Sequence, residues 1–472
     1  MDVIRRNKNG FLFIVTILIG LFIWLAPRPD GVTEQAWNLF AVFVATVVGI
    51  ILKPLPMGAI ALLSLTFLNV SKILTFAQAF SGFSNSVVWL IVAAFFIARG
   101  FIQTGLGSRV GYFFMKLFGK STLGLSYSLV ATEFILAPTI PSLTARVGGI
   151  LFPILKSMAK AFGSEPFDPS SRKVGAFLTM VTFQGSAITS AMFLTSMAGN
   201  PLVADLAANS GVTISWGSWI LASIVPGLCS LLFIPYFIYK VFPPEIKETP
   251  HAYAYAQKHL EDLGKMKSNE WIMCGTFFLL IFLWIFGSYV QINATVVALI
   301  GLSILLLTGV LKWKDIIQES GAWDTLFWFA ALITMASYLN EFGMMTWFSN
   351  FVVGNVQGMN WIYGFLILSI LYFYTHYFFA SNLAHISAMY APFLIVAIAI
   401  GTPPVIAAMI LAFYSSLFGG LTHYGCGPAP ILFGAGYVPI GQWWKMGFFV
   451  SVVNIVIWMG IGGLWWKVLG LW

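Results

Sequence analysis

The sequence predicts an all-α polytopic membrane protein of about 11 transmembrane helices plus two re-entrant helical hairpins, built as an inverted repeat. Three observations predict it. Of 472 residues, 59% are hydrophobic and only 8% charged, where a soluble chain would carry about 25% charged residues. Apolar runs long enough to span a bilayer, roughly 20 residues each, recur along the whole length. They do not alternate as the strands of an outer-membrane barrel do. Finally, two matched stretches stand 239 residues apart.

The first stretch runs Pro138-Thr139-Ile140-Pro141-Ser142-Leu143-Thr144-Ala145-Arg146, with Pro153 beyond it. The second runs Tyr377-Phe378-Phe379-Ala380-Ser381-Asn382-Leu383-Ala384-His385, with Pro392 beyond. Ser142 pairs with Ser381, Arg146 with His385 and Pro153 with Pro392 at one spacing. Ser81, Gly82 and Trp89 keep it with Ser320, Gly321 and Trp328. Shared spacing across several residue types marks a duplicated half.

The elements follow in order. Residues 1–35 hold a first span near 11–26; its apolar run lacks a small-residue cleavage site, so it reads as retained. Residues 36–240 form repeat 1: spans near 36–52 and 55–70, an interfacial helix at Ser71–Ser81, short and of mixed polarity, and a span near 84–103. A basic loop, the first break segment 122–156, a second basic loop at 157–173, a broken stretch 174–208 and a span 216–240 complete it. Residues 241–270 carry Pro243-Pro244, Glu261-Asp262, Lys265 and Lys267, and read as a solvated cytoplasmic linker. Residues 271–472 repeat the order: 271–290, 293–311, the interfacial helix 312–320, 322–340, the second break segment 361–402, the broken stretch 404–436, and 442–466.

Charge sets the topology. With a cytoplasmic N-terminus, most basic residues fall inside and only Arg28, Lys72 and Lys467 fall outside, as the positive-inside rule requires. The loops on both sides of 122–156 are basic, so that segment enters and leaves on the cytoplasmic side. The flanks of 361–402 contain no Lys or Arg, so it does the same from outside. Length agrees: Thr122–Ala137 makes about 24 Å of helix, past the midplane but short of a span. Each half then has an odd number of crossings, and the second is inverted. The net charge of +8 is a topology signal and not a nucleic-acid signature. Cys229, Cys274 and Cys426 give neither a disulfide framework nor metal-ligand spacing, and nothing calls for a metal or cofactor.

Inverted repeats whose hairpin tips meet near the midplane are the architecture of a secondary transporter. A re-entrant tip exposes unpaired backbone N–H groups at the start of its returning helix, and these favour an anion. Such backbone survives at that depth only where it lines a polar cavity. The tips, Ser142, Leu143 and Thr144 with Ser381, Asn382 and Leu383, read as two halves of one binding site. Breaks in the neighbouring stretches supply the rest. Phe183-Gln184-Gly185-Ser186 and Ala198-Gly199-Asn200-Pro201 interrupt the first; the second is interrupted between Gly419 and Pro430, where Thr422, His423, Gly425, Gly427 and Pro428 lie.

Arg146 and His385 each sit one turn into a returning helix, where an ionisable group is costly without a partner. Asp205 and Glu133 are candidates to neutralise one of the two; the other candidate partner is an incoming anion. The bland readings are that Arg146 snorkels towards the cytoplasm and that His385 is a neutral histidine bonded to backbone.

The pattern resembles the divalent anion/sodium symporter family. Thr422-His423-Tyr424-Gly425 and the run Pro428-Ala429-Pro430-Ile431-Leu432-Phe433-Gly434-Ala435-Gly436-Tyr437 resemble its 2-oxoglutarate/malate translocator and citrate/succinate antiporter branch. The resemblance covers nearly the whole chain. It implies a homodimer in the bacterial inner membrane, an elevator-type motion, and dicarboxylates such as 2-oxoglutarate, malate, succinate or fumarate as substrates. Sodium-coupled members carry Ser-Asn-Thr at both tips. Here Leu143 and Leu383 replace one oxygen ligand in each, which points away from sodium coupling. Arg146 and His385 would then supply the positive charge that sodium supplies elsewhere, consistent with exchange. Within transport the competitor is a sodium- or proton-coupled dicarboxylate or citrate symporter. An intramembrane enzyme lacks a serine with a histidine-plus-acid set at recognisable spacing. A channel leaves the two oppositely inserted tips unexplained.

Overall fold

Helices carry the regular structure of the computed structural model, apart from one isolated bridge between Ser121 and Glu248. The structure describes residues 2–287, 292–356 and 360–472. In chain order the helices are α1 (Asp2–Leu25), α2 (Glu34–Leu52), α3 (Met57–Val70), α4 (Phe76–Ala79), α5 (Ser86–Thr104), α6 (Leu106–Phe118), α7 (Thr122–Leu136), α8 (Leu143–Arg146), α9 (Phe152–Ala161), α10 (Gly175–Met192), α11 (Gly199–Ala208) and α12 (Trp216–Val241). After α13 (His251–Leu263) come α14 (Ser268–Phe286), α15 (Ala294–Leu307), α16 (Trp313–Gln318), α17 (Ser320–Glu341), α18 (Met344–Val356), α19 (Trp361–Tyr374), α20 (Asn382–His385), α21 (Ala391–Ala399), α22 (Pro404–Leu417), α23 (Ala429–Gly434), α24 (Ile440–Val456) and α25 (Gly463–Val468). Among the described residues, eight helical segments are long and apolar enough to cross a bilayer. The end of the expected span 271–290 lies outside the described residues.

Helix, non-helical tip and returning helix recur in register at the two matched stretches. α7 and α19 begin 239 residues apart, as do α8 and α20 and α9 and α21. Between α8 and α9 the chain makes a π-helical turn, Val147–Leu151, and between α20 and α21 another, Ile386–Tyr390, at the same spacing. Such turns are rare and gather at functional sites.

Four expectations are corrected. The basic loop after residue 103 is a helix, α6. Its apolar face, with Gly107 and Gly111, lies against Ile150 and Ile154 of the first hairpin, while Arg109 and Lys116 belong to its polar side. The linker also holds a helix, α13, seated by its aromatic side chains: Tyr112 of α6 stacks on His259, and the Tyr255 hydroxyl bonds to that of Ser157 on α9. Ser71–Ser81 is mostly turn, with helix only at Phe76–Ala79, capped by Thr75 and Gln78. Phe183-Gln184-Gly185-Ser186 does not break its stretch, because α10 runs unbroken to Met192. The real interruption is Phe193–Ala198, between α10 and α11.

The helices gather into two compact units, each drawing on both ends of the chain. One comprises residues 1–92, 201–214 and 320–412. In it α17 packs on α3: Asp324 Oδ1 accepts from the Gly58 N–H at 2.9 Å, and Thr334 Oγ1 from the Gly82 N–H at 3.0 Å. The second hairpin belongs to this unit. The other unit comprises residues 93–200, 215–319 and 413–472. Its core gathers Trp219, Phe413, Trp458 and Trp466, all buried, with Phe413 edge-on to Trp219 at 5.4 Å between centroids. The first hairpin, α10 and the second break belong here. At its edge Arg109 makes a two-bond ion pair with Glu270, at 2.6 and 3.2 Å.

Candidate functional site

In the second of these units, three non-helical segments converge. They are the first tip (residues 137–142), the first break (193–198) and the second break (421–428). α7 carries the chain in and presents Glu133 on its buried face. Pro138 and Pro141 prevent the helix from continuing through the tip. Ser142 then starts the returning helix, its Oγ accepting from the Ala145 N–H at 3.2 Å. This is the usual N-cap arrangement. Leu143 turns into the core, whereas Thr144 is exposed.

One turn on, Arg146 is fully buried. Its Nε donates to Glu133 Oε1 at 2.8 Å, Nη2 to Ser190 Oγ at 3.1 Å, and Nη1 to the backbone carbonyls of Ile140 and Ser196. The same Glu133 oxygen accepts from Thr189 Oγ1 at 3.3 Å. The guanidinium therefore sits in a cage of four oxygens: two carbonyls, a hydroxyl and one carboxylate oxygen, from α7, the tip, α10 and the first break. This corrects the expectation that Arg146 waits for an incoming anion. Of the two acids the sequence offered, Glu133 is the partner, and the pair is neutral. Asp205 instead accepts from Asn85 Nδ2 at 3.3 Å in the other unit. Snorkelling is excluded by the burial.

The first break is locked by its own polar side chains. Asn200 Nδ2 donates to the carbonyls of Ser190 and Phe193, at 2.7 and 2.9 Å, and its Oδ1 accepts from Ser416 Oγ at 3.0 Å. Both of its amide hydrogens are thus committed within the chain. Thr195 Oγ1 donates to the Pro138 carbonyl and accepts from Trp216 Nε1 at 3.1 Å, tying the break to the tip. Gly199, Asn200 and Pro201, expected in the break, form the first turn of α11.

The second break is held by Gln184, whose Nε2 donates to the Gly420 carbonyl at 2.8 Å. This explains a glutamine in mid-helix that the sequence had read as an interruption. Gly427 lies against Thr144, so that a β-carbon there would collide with Thr144 Oγ1. The second break thus meets the first tip, and Thr144 and Gly427 are both exposed at the junction. Thr422 is fully buried, and its Oγ1 has no hydrogen-bond partner among the described residues. His423 is half-buried, while Gly425 and Pro428 are buried beside it.

The second tip is described in its own unit. Ser381 begins the returning helix but, unlike Ser142, makes no side-chain cap bond. Asn382 is buried and Leu383 half-buried. His385 is fully buried, its ring stacked on Phe379 at 4.5 Å and on His376 at 5.3 Å. Its Nδ1 stands 3.1 Å from His376 Nδ1, and its Nε2 stands 3.3 Å from Thr375 Oγ1. Two facing ring nitrogens share one hydrogen, so one of them must accept. Sequence reasoning missed His376, because the repeat register gives it no basic counterpart in the first half.

Residues 7–472 match the family described as the sodium:sulfate symporter transmembrane region. The putative malate transporter YflS of Bacillus subtilis is 56% identical over 97% of this chain and 96% of its own. The chloroplastic dicarboxylate transporter 1 of Arabidopsis thaliana is 54% identical over 97% of this chain and 83% of its own. Among solved structures, the YdaH transporter of Alcanivorax borkumensis is similar in fold, with a TM-score of 0.56 at 12% identity and 98% of each chain covered.

Proposed function

The chain belongs to the sodium:sulfate symporter family, and from that premise we propose that it is a sodium-independent dicarboxylate exchanger. It is a multi-pass membrane transporter and not an enzyme. The dicarboxylate class follows from its relatives, which are named as a malate transporter and chloroplastic dicarboxylate transporters. 2-Oxoglutarate, malate, succinate and fumarate are the proposed substrates. The reading includes an inverted second half, a homodimer with an elevator-type motion, the bacterial inner membrane as location, and a cytoplasmic N-terminus.

One observation carries the exchange reading: the guanidinium of Arg146 fills an oxygen cage at the first tip. Two carbonyls, a hydroxyl and a carboxylate are the hard ligands that a small cation takes. Here a tethered cation holds them, and Leu143 offers no further oxygen. Ser142, Thr144, Thr422 and His423 are the proposed donors to substrate in this unit. Gly427 and Pro428 shape the approach, with Gly425 beside them. Ser381 and Asn382, flanked by Leu383, are the proposed donors of the second tip; His385, buried against Phe379 and His376, packs behind them and does not take the charge-compensating role the sequence suggested. Gly199, Asn200 and Pro201 hold the frame.

Uptake of labelled 2-oxoglutarate into proteoliposomes tests this. Uptake should need a dicarboxylate inside the vesicle, and a sodium gradient should change the rate less than about twofold. Robust uptake into empty vesicles driven by sodium or proton gradients would establish the symport alternative. A second expected result concerns the other tip. Asn382→Ala should weaken substrate binding by about 1.5–3 kcal/mol, the range for hydrogen bonds to charged groups. Titrating malate against the unfolding temperature of the purified carrier reads this out. An unchanged affinity removes Asn382 from the site.

A further inference from the structure

His423 lies in the second break, between Gly420 and Ala429, and α24 supplies its only hydrogen bond among the described residues. Trp444 Nε1 donates to His423 Nδ1 at 3.0 Å. An indole N–H can only donate. Nδ1 must therefore be the bare nitrogen, and the neutral ring carries its hydrogen on Nε2. Phe433 clamps the ring at 4.6 Å between centroids and Tyr424 at 5.0 Å, so its orientation is set as well as its tautomer. The Nε2 side makes no hydrogen bond among the described residues. Beside it in the chain, the buried hydroxyl of Thr422 is also without a partner. Two adjacent polar groups with unspent hydrogen-bonding capacity thus lie in a segment that meets the exposed Thr144.

We propose that Trp444 is a positioning residue: it fixes His423 as an Nε2–H donor, aimed with the Thr422 hydroxyl at a carboxylate oxygen of the substrate. The proposal rests on the dicarboxylate reading above. A histidine held in one tautomer recognises an acceptor by a directed hydrogen bond, not as a point charge, and so selects for carboxylate geometry. The rings packed on His423, from its own segment, α23 and α24, are uncharged. Tyr424 is the one titratable group among them, and Lys445, next to Trp444, is exposed.

Two readouts test this. The first needs no substrate. Nitrogen-15 spectra of histidine-labelled protein in lipid, with His423 assigned by difference from His423→Gln, should show the Nε2–H tautomer alone. Trp444→Phe should show both tautomers. The second is the half-saturating malate concentration for exchange. Trp444→Phe should raise it about three- to tenfold with the maximal rate nearly kept. His423→Gln places an amide N–H near the Nε2 position and should lose no more than about threefold. His423→Asn reaches only the Nδ1 position and should lose about tenfold or more. An Nδ1–H tautomer in the wild type, or equal affinities for the Gln and Asn variants, overturns the proposal. A wild type that shows the Nε2–H tautomer but binds no dicarboxylate overturns instead the substrate reading, and with it the ligand assigned to this donor.

Discussion

Arg146→Leu is expected to destabilise the protein by about 3–5 kcal/mol, the cost of leaving one member of a buried ion pair without its partner. Glu133 is 1% exposed, and its Oε1 would keep only the 3.3 Å bond from Thr189. The Ile140 and Ser196 carbonyls would lose their shared donor at the same time. The double variant Glu133→Leu/Arg146→Leu should recover most of that loss, because apolar residues of similar volume often replace a buried pair at little cost. Thermal unfolding in detergent measures both. If the single variant is as stable as the wild type, the pair is not what holds the tip. If the double variant is stable and still exchanges dicarboxylates at the wild-type rate, the cage has no part in transport.

Asn200→Ala should cost about 2–3 kcal/mol of stability, at about 1 kcal/mol net for each of three hydrogen bonds. The bonds lost are those to the Ser190 and Phe193 carbonyls and from Ser416. Because both amide hydrogens are spent on the break, the half-saturating substrate concentration should hold while the maximal exchange rate falls. The opposite pattern, full stability with weakened affinity, would return Asn200 to direct contact with substrate.

Both hairpins were legible because each tip carries punctuation that apolar helices lack. Pro138, Pro141 and Ser142 mark the first, and the spacing to Ser381 and Pro392 finds the second. The first break was placed too late for the same reason. Gly199 and Pro201 look like breakers, yet they open α11, while Phe193–Ala198 contains neither glycine nor proline. Its irregular backbone is held by Ser196 and Asn200, which bond to the nearby carbonyls of Ser190 and Phe193, and by Thr195, which bonds to the distant carbonyl of Pro138. α6 and α13 escaped notice because their charged faces read as loop. Their apolar faces have meaning only once the hairpin they cover exists. Glu133 was on the page as a candidate, but choosing it over Asp205 required knowing that α7 and the returning helix face one another.

The cage around Arg146 also bears on energetics. A cation joined to the chain by its own side chain never dissociates on either side of the membrane. No chemical potential can be drawn through that site, however steep the ion imbalance outside. Under the proposed exchange, one solute moves uphill only as far as another runs downhill. At rest, the inside-to-outside concentration ratios of two exchanged dianions would then become equal. Accumulation is then set by the metabolism that keeps one pool full, and the membrane's ionic conditions drop out.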